Sequence, residues 1–161
     1  KTEALAPVLG RVAEAAAQKL PAFPVADVIR LLLATSKAKG QRMPLEAKGA
    51  LFAGASAMLR PKLPELSPVE IVKVGLAAGG EGGKKELLQA VAEEAEKRLG
   101  ELQPPHFLLL VQALAPLGGG HASLQRLLDR WAAGGSQADG NLSAKLAQAL
   151  VPVLPDLESS C

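Results

Sequence analysis

Apolar residues recur at helical rather than alternating spacing along most of the chain. Between Lys84 and Leu99, the residues Leu87, Leu88, Val91, Ala95 and Leu99 fall on one helical face, while Lys85, Glu93, Glu96 and Lys97 face away. The carboxylates Glu93, Glu94 and Glu96, followed by Lys97 and Arg98, read as a solvated face with intrahelical charge pairs. Helix ends are punctuated. Ser67-Pro68 and Gln103-Pro104-Pro105 place a cap before a proline, which suits the first turn because its missing N–H would be unpaired anyway. Gly40, Gly79-Gly80 and Gly118 mark the stops. The pattern predicts an all-α fold of about eight helices, near 3–19, 24–39, 44–60, 68–78, 84–99, 104–117, 121–133 and 143–154.

The helices repeat. At a shift of 36 residues, Leu66-Ser67-Pro68-Val69-Glu70-Ile71 aligns with Leu102-Gln103-Pro104-Pro105-His106-Phe107, Val91 with Leu127, and Ala95 with Trp131. The same shift places Gln112-Ala113-Leu114 on Gln148-Ala149-Leu150. Asp27-Val28-Ile29-Arg30 and Lys19-Leu20-Pro21 align with Glu70-Ile71-Val72-Lys73 and Lys62-Leu63-Pro64 at a shift of 43. Seven extra residues near Lys39 to Leu45, between two helices, account for the difference, at a place where repeat arrays tolerate insertion. Each unit reads as an antiparallel helix pair. The expectation is a single right-handed α-solenoid over 1–161, with repeats at 22–66, 67–102 and 103–141 between half repeats at 1–21 and 142–161.

From Leu66 to Gly118 the pattern also resembles a known family. Leu66-Ser67-Pro68-Val69-Glu70-Ile71, then small residues and glycine, then Leu87-Leu88-Gln89-Ala90-Val91, then Lys97-Arg98-Leu99-Gly100-Glu101-Leu102-Gln103-Pro104-Pro105, is similar to the heptatricopeptide and octotricopeptide helical repeats associated with RAP domains. The resemblance implies an α-solenoid in a mitochondrion or plastid, in families tied to organellar RNA metabolism or organellar ribosomes. The chain starts at Lys1 without methionine, and is expected to be a processed or truncated product whose targeting peptide has gone.

Composition narrows the classes. Alanine and leucine supply 29 residues each of the 161, against 15 for Val, Ile and Thr together, with no tyrosine. Helices favour the first group and strands the second, so an all-β fold is excluded and a parallel-sheet enzyme disfavoured. With 18 basic and 16 acidic residues the net charge is +2, which permits RNA without indicating it. The lone Cys161 supports neither a disulfide framework nor a thiolate metal cluster. The longest run without Asp, Glu, Lys or Arg, Leu102 to Gln125, is broken by prolines and by Gly118-Gly119-Gly120, so no membrane span is expected.

Little here marks chemistry. Gly79-Gly80-Glu81-Gly82-Gly83-Lys84-Lys85 lacks the glycine, the Ser or Thr and the preceding strand of a phosphate loop, and reads as an inter-helix turn whose glycines take left-handed angles. His106 and His121 have no metal-ligand or triad partner nearby in sequence. No catalytic, cofactor or metal residue is assigned. Solenoids work instead through a column of equivalent side chains. Here that ligand-facing column is Asp27 and Arg30, then Glu70 and Lys73, then His106 and Leu109. Phe107-Leu108-Leu109-Leu110-Val111 is apolar all round a helix, and a partner is expected to cover the face carrying His106 and Leu109. The expectation is a non-catalytic interaction module without cofactor. It would bind protein subunits as a peripheral or scaffold part of an organellar assembly such as a photosystem, ribosome or respiratory complex, with association to a membrane complex open to it. The alternative is an organellar RNA-binding repeat protein acting in RNA processing or stability.

Overall fold

A computed structural model describes residues 11, 15–37, 44–80, 83–118, 121–133 and 148. The expected final helix near 143–154, most of the first near 3–19, and Gly40 lie outside them, as does most of the expected insertion.

Among the described residues the chain is all-helical. After a helical stretch at 15–19 (α1) come α2 (Val25–Lys37), α3 (Leu45–Leu59), α4 (Pro68–Ala78), α5 (Lys85–Lys97), α6 (Pro104–Leu114) and α7 (Ala122–Ala133). The start of α4 shows why these residues begin a helix. Ser67 stays extended, its hydroxyl accepts from the Glu70 N–H, and the Glu70 carboxylate accepts from the Ser67 N–H at 2.8 Å. This reciprocal arrangement satisfies two backbone donors that a helix start otherwise leaves unpaired, and Pro68 occupies the first turn, where it needs no partner. The start of α6 has Pro104 and Pro105 in its first turn but no side-chain cap from Gln103.

One backbone turn occurs three times. The N–H groups of Phe23, Leu66 and Leu102 donate to the carbonyls of Leu20, Leu63 and Leu99 at 3.0, 3.2 and 3.1 Å. Each closes a 3₁₀ segment and leaves its last residue extended, with ψ of 146°, 148° and 125°, shortly before α2, α4 and α6. Arg98 adds a cross-link at the second of these turns, donating to the Leu66 carbonyl at 2.5 Å while it pairs with Glu101.

The packing is orderly. α4 lies against α2 on one side, α6 on the other, and α5 behind; α5 packs on α7 and on the 3₁₀ segment Arg60–Glu65 that follows α3. The core between them holds Val28, Leu32, Phe52, Ile71, Val74, Leu87, Val91, Phe107, Leu110 and Leu127. Each large aliphatic or aromatic side chain so buried contributes about 1.5–3 kcal/mol relative to exposure. Phe107 stacks on Trp131 of α7 with ring centroids 3.9 Å apart and planes 3° from parallel.

Two expectations need correction. Glu94 is not on a solvated face: it is buried, because it lies three residues after Val91 and one before Ala95 on the inward side of α5. Gly79, Gly80 and Gly83 after α4 are not chosen for left-handed angles, since Gly79 has φ −75° and Gly118 is the glycine with positive φ, 87°, among the described residues. Gly79 is excluded from bearing a side chain by space: a Cβ there would fall on the Ala113 carbonyl oxygen, where α4 and α6 meet. At Gly83 a Cβ would fall on the carbonyl of Ala78.

Candidate functional site

The side-by-side order α2, α4, α6 arranges the candidate column. Asp27, Glu70 and His106 are each the third residue of their helix, and Arg30, Lys73 and Leu109 each the sixth. Burial follows position. Val28, Ile71 and Phe107, one residue after the first set, are all buried, whereas Arg30, Lys73 and Leu109 are all exposed. Asp27 is exposed, and Glu70 and His106 are half-buried.

Chemically the row changes along its length. In α2 the charges neutralise each other, Arg30 Nη1 donating to Asp27 Oδ1 at 2.9 Å. In α4 the Glu70 carboxylate is committed to the cap: it accepts from the hydroxyl and the N–H of Ser67 at 2.6 and 2.8 Å. These bonds, with a smaller contribution from the Lys73 charge, hold its pKa below the ordinary carboxylate value. Lys73 itself makes no ion pair within 4 Å among the described residues. Between α2 and α4 lies a shallow groove of about 170 Å³ lined by Ala26, Ile29, Arg30, Leu33, Glu70 and Lys73. In α6 the row ends without charge. Leu109 is 39% exposed, while Phe107 and Leu110 on either side of it are fully buried. The neighbouring helices therefore cover the face carrying Phe107, Leu110 and Val111 and leave Leu109 outside. Val69 of α4 is equally exposed and adds a second aliphatic group to the same layer of helices.

His121, the second histidine, precedes α7, and its Nδ1 is buried without a hydrogen-bond partner among the described residues. Among the described residues no group of three or more His, Cys, Asp or Glu side chains is placed to hold a metal ion. Likewise, no described helix is long and apolar enough to cross a membrane. Sequence reasoning missed a second recess, of about 370 Å³, between the 3₁₀ segment and α5. The signals were present in Pro61 and Pro64, which stiffen that segment, and in an acidic residue at an inward position of α5.

Comparison with protein-family models, with curated proteins and with solved structures finds no match to this chain.

Proposed function

We propose that the chain is a non-catalytic helical-repeat interaction module that docks a protein partner through the face carrying His106 and Leu109. The observation that carries this reading is Leu109: a leucine exposed on a helix that buries Phe107, Leu110, Val111 and Leu114 and half-buries Leu108. Support for the repeat comes from the turns closed at Phe23, Leu66 and Leu102, whose separations equal the sequence shifts of 43 and 36 residues. Contacts of α4 with α2 and with α6, and of α5 with α7, support a stacked arrangement of helix pairs. The resemblance to heptatricopeptide and octotricopeptide repeats supports an organellar setting, as a peripheral or scaffold subunit of a plastid or mitochondrial assembly.

RNA binding is the second reading, favoured by Arg30 and Lys73 bordering one groove. It is weakened by the pairing of Arg30 with Asp27 and by the absence of an exposed aromatic platform in that groove, since stacking is how single-stranded nucleic acid is commonly held. Affinity purification of the tagged protein with and without ribonuclease separates the two. Partners retained after ribonuclease treatment are expected. Complete loss of partners, together with RNA affinity that falls steeply with salt and requires both Arg30 and Lys73, would replace the protein-docking reading with the RNA one.

A further inference from the structure

The outward face of α3 differs in kind from those of the helices that follow it. Its inward side supplies Leu51, Phe52, Ala55 and Leu59 to the core. Its outward side presents Ala50, Ala53 and Ala57, all exposed, and the space beside Gly49 is open to 4 Å. Thirty-six residues on, α5 exposes Glu86, Gln89 and Glu93 at the same positions, and α7 exposes Ala122, Gln125 and Asp129. Those two helices face water with polar side chains; α3 does not. Alanine is a strong helix former and by itself asks for no partner. The charges at the two ends of the face decide what fits it.

Glu46 lies seven residues before Ala53, and Arg60 seven residues after it. The helical backbone continues to Arg60, whose N–H donates to the Ser56 carbonyl. Seven residues fall about 20° short of two turns, so Glu46, Ala53 and Arg60 share one face, each charge about 10.5 Å from the middle. Both charged residues are exposed, and neither makes an ion pair within 4 Å among the described residues. Each also suits its own end of the α3 dipole, acid at the N-terminus and base at the C-terminus. A face with opposite charges at equal distances from its centre is complementary to itself turned end for end. An antiparallel copy brings Glu46 to the partner's Arg60 and Arg60 to the partner's Glu46, whereas a parallel copy sets like charges together.

We propose that the outward face of α3 is a self-association surface, on which a second copy of this chain packs antiparallel about a two-fold axis at Ala53. Such an isologous contact pairs one patch with itself. Alanine and glycine allow the helix axes to approach to the short end of the usual range of about 8–10 Å. The contact is one helix wide and its ion pairs are solvated, so it falls below the about 1,200 Å² of a standard interface and the dimer is weak. α3 lies outside the row of α2, α4 and α6, so this surface neither uses the Leu109 face nor depends on the docking reading.

Sedimentation of the whole chain from about 10 μM to about 1 mM, where weak contacts become populated, reads the association directly. Wild type should shift from monomer towards dimer across that range. Glu46→Arg and Arg60→Glu each set like charges opposite one another at both ends of the contact, and each should weaken dimerisation about tenfold. Mixing the two single variants restores opposite charges at both ends and should recover association, as should the double variant Glu46→Arg/Arg60→Glu. Both positions are exposed, so all these variants should melt like wild type, and Leu109→Lys should associate like wild type. A chain that stays monomeric throughout, single variants that associate undiminished, a mixture no better than its components, or association lost in Leu109→Lys would overturn the proposal.

Discussion

Ser67 and Glu70 show how much one pair of side chains decides. The pair starts α4, and α4 is the helix on which α2, α5 and α6 all pack. Ser67→Ala removes the hydroxyl that caps the Glu70 N–H and should cost about 1 kcal/mol, as N-cap losses do. Part of that cost is pH-dependent. Glu70 has a lowered pKa in the folded protein, so its carboxylate contributes stability that is present above the ordinary carboxylate pKa and lost as pH falls through the lowered value. The Ser67 hydroxyl is one source of that lowering, so the gap between wild type and Ser67→Ala should narrow in acid. It should not close, because the Glu70 N–H to Ser67 bond carries no titrating proton. Urea unfolding at neutral pH and below the carboxylate range measures both gaps; a gap that widens in acid would contradict the assignment. On α6 the equivalent residue, Gln103, makes no cap, and Gln103→Ala should change stability far less.

Contact between elements is set by the smallest residues. Gly79 lets the end of α4 meet the Ala113 backbone of α6, and a backbone carbonyl cannot step aside. Gly75 sits one turn earlier, where a Cβ would meet Val91 Cγ1 at 3.3 Å and Leu110 Cδ1 at 3.4 Å, both ends of side chains that can adjust. Gly79→Ala should therefore cost about 1–3 kcal/mol, in the range of overpacked cores, and Gly75→Ala clearly less. Thermal melting of the two variants ranks them, and the reverse order would show that α4 and α6 are not seated as described. The same element scale shows what a sequence can convey. Helix bounds came through well: the expected 68–78 is α4 itself, and 121–133 differs from α7 by one residue, because proline, glycine and apolar period are local signals. The 3₁₀ turns before α2, α4 and α6 did not: their residues align in sequence, but Leu-Pro and Leu-Gly pairs suit many kinds of turn and do not specify the backbone geometry. Glu94 was misplaced for a similar reason. A charged residue on an inward face is read as solvated unless the recess beside it is known, and that recess exists because Ala90 is short and the segment opposite contains two prolines.

For the molecule as a whole, the described core is apolar helix packing with no metal cluster, so the unfolding midpoint should be unchanged by a chelator or a thiol reductant; a shift with either would require a ligand set beyond the described residues. The column Arg30, Lys73, Leu109 was legible in sequence as a row of equivalent positions, and its exposure follows from three helices lying side by side. Its chemistry was not legible, because a sequence does not show that Arg30 is spent on Asp27 and Glu70 on its own helix start. Within that column, Leu109 is left as the group with most to gain from a partner. With 39% of it still exposed, completing its burial yields roughly 1 kcal/mol, about fivefold in affinity, whereas a lysine there would carry an unpaired charge into the contact at several times that cost. The most direct measurement is therefore Leu109→Lys, assayed for retention in the native assembly and for melting temperature, beside Leu110→Lys as a core control. Leu109→Lys should melt like wild type but leave its partners, while Leu110→Lys, at a fully buried position, should fail to fold stably. Leu109→Lys that keeps its partners, or that loses stability as Leu110→Lys does, would contradict the docking face.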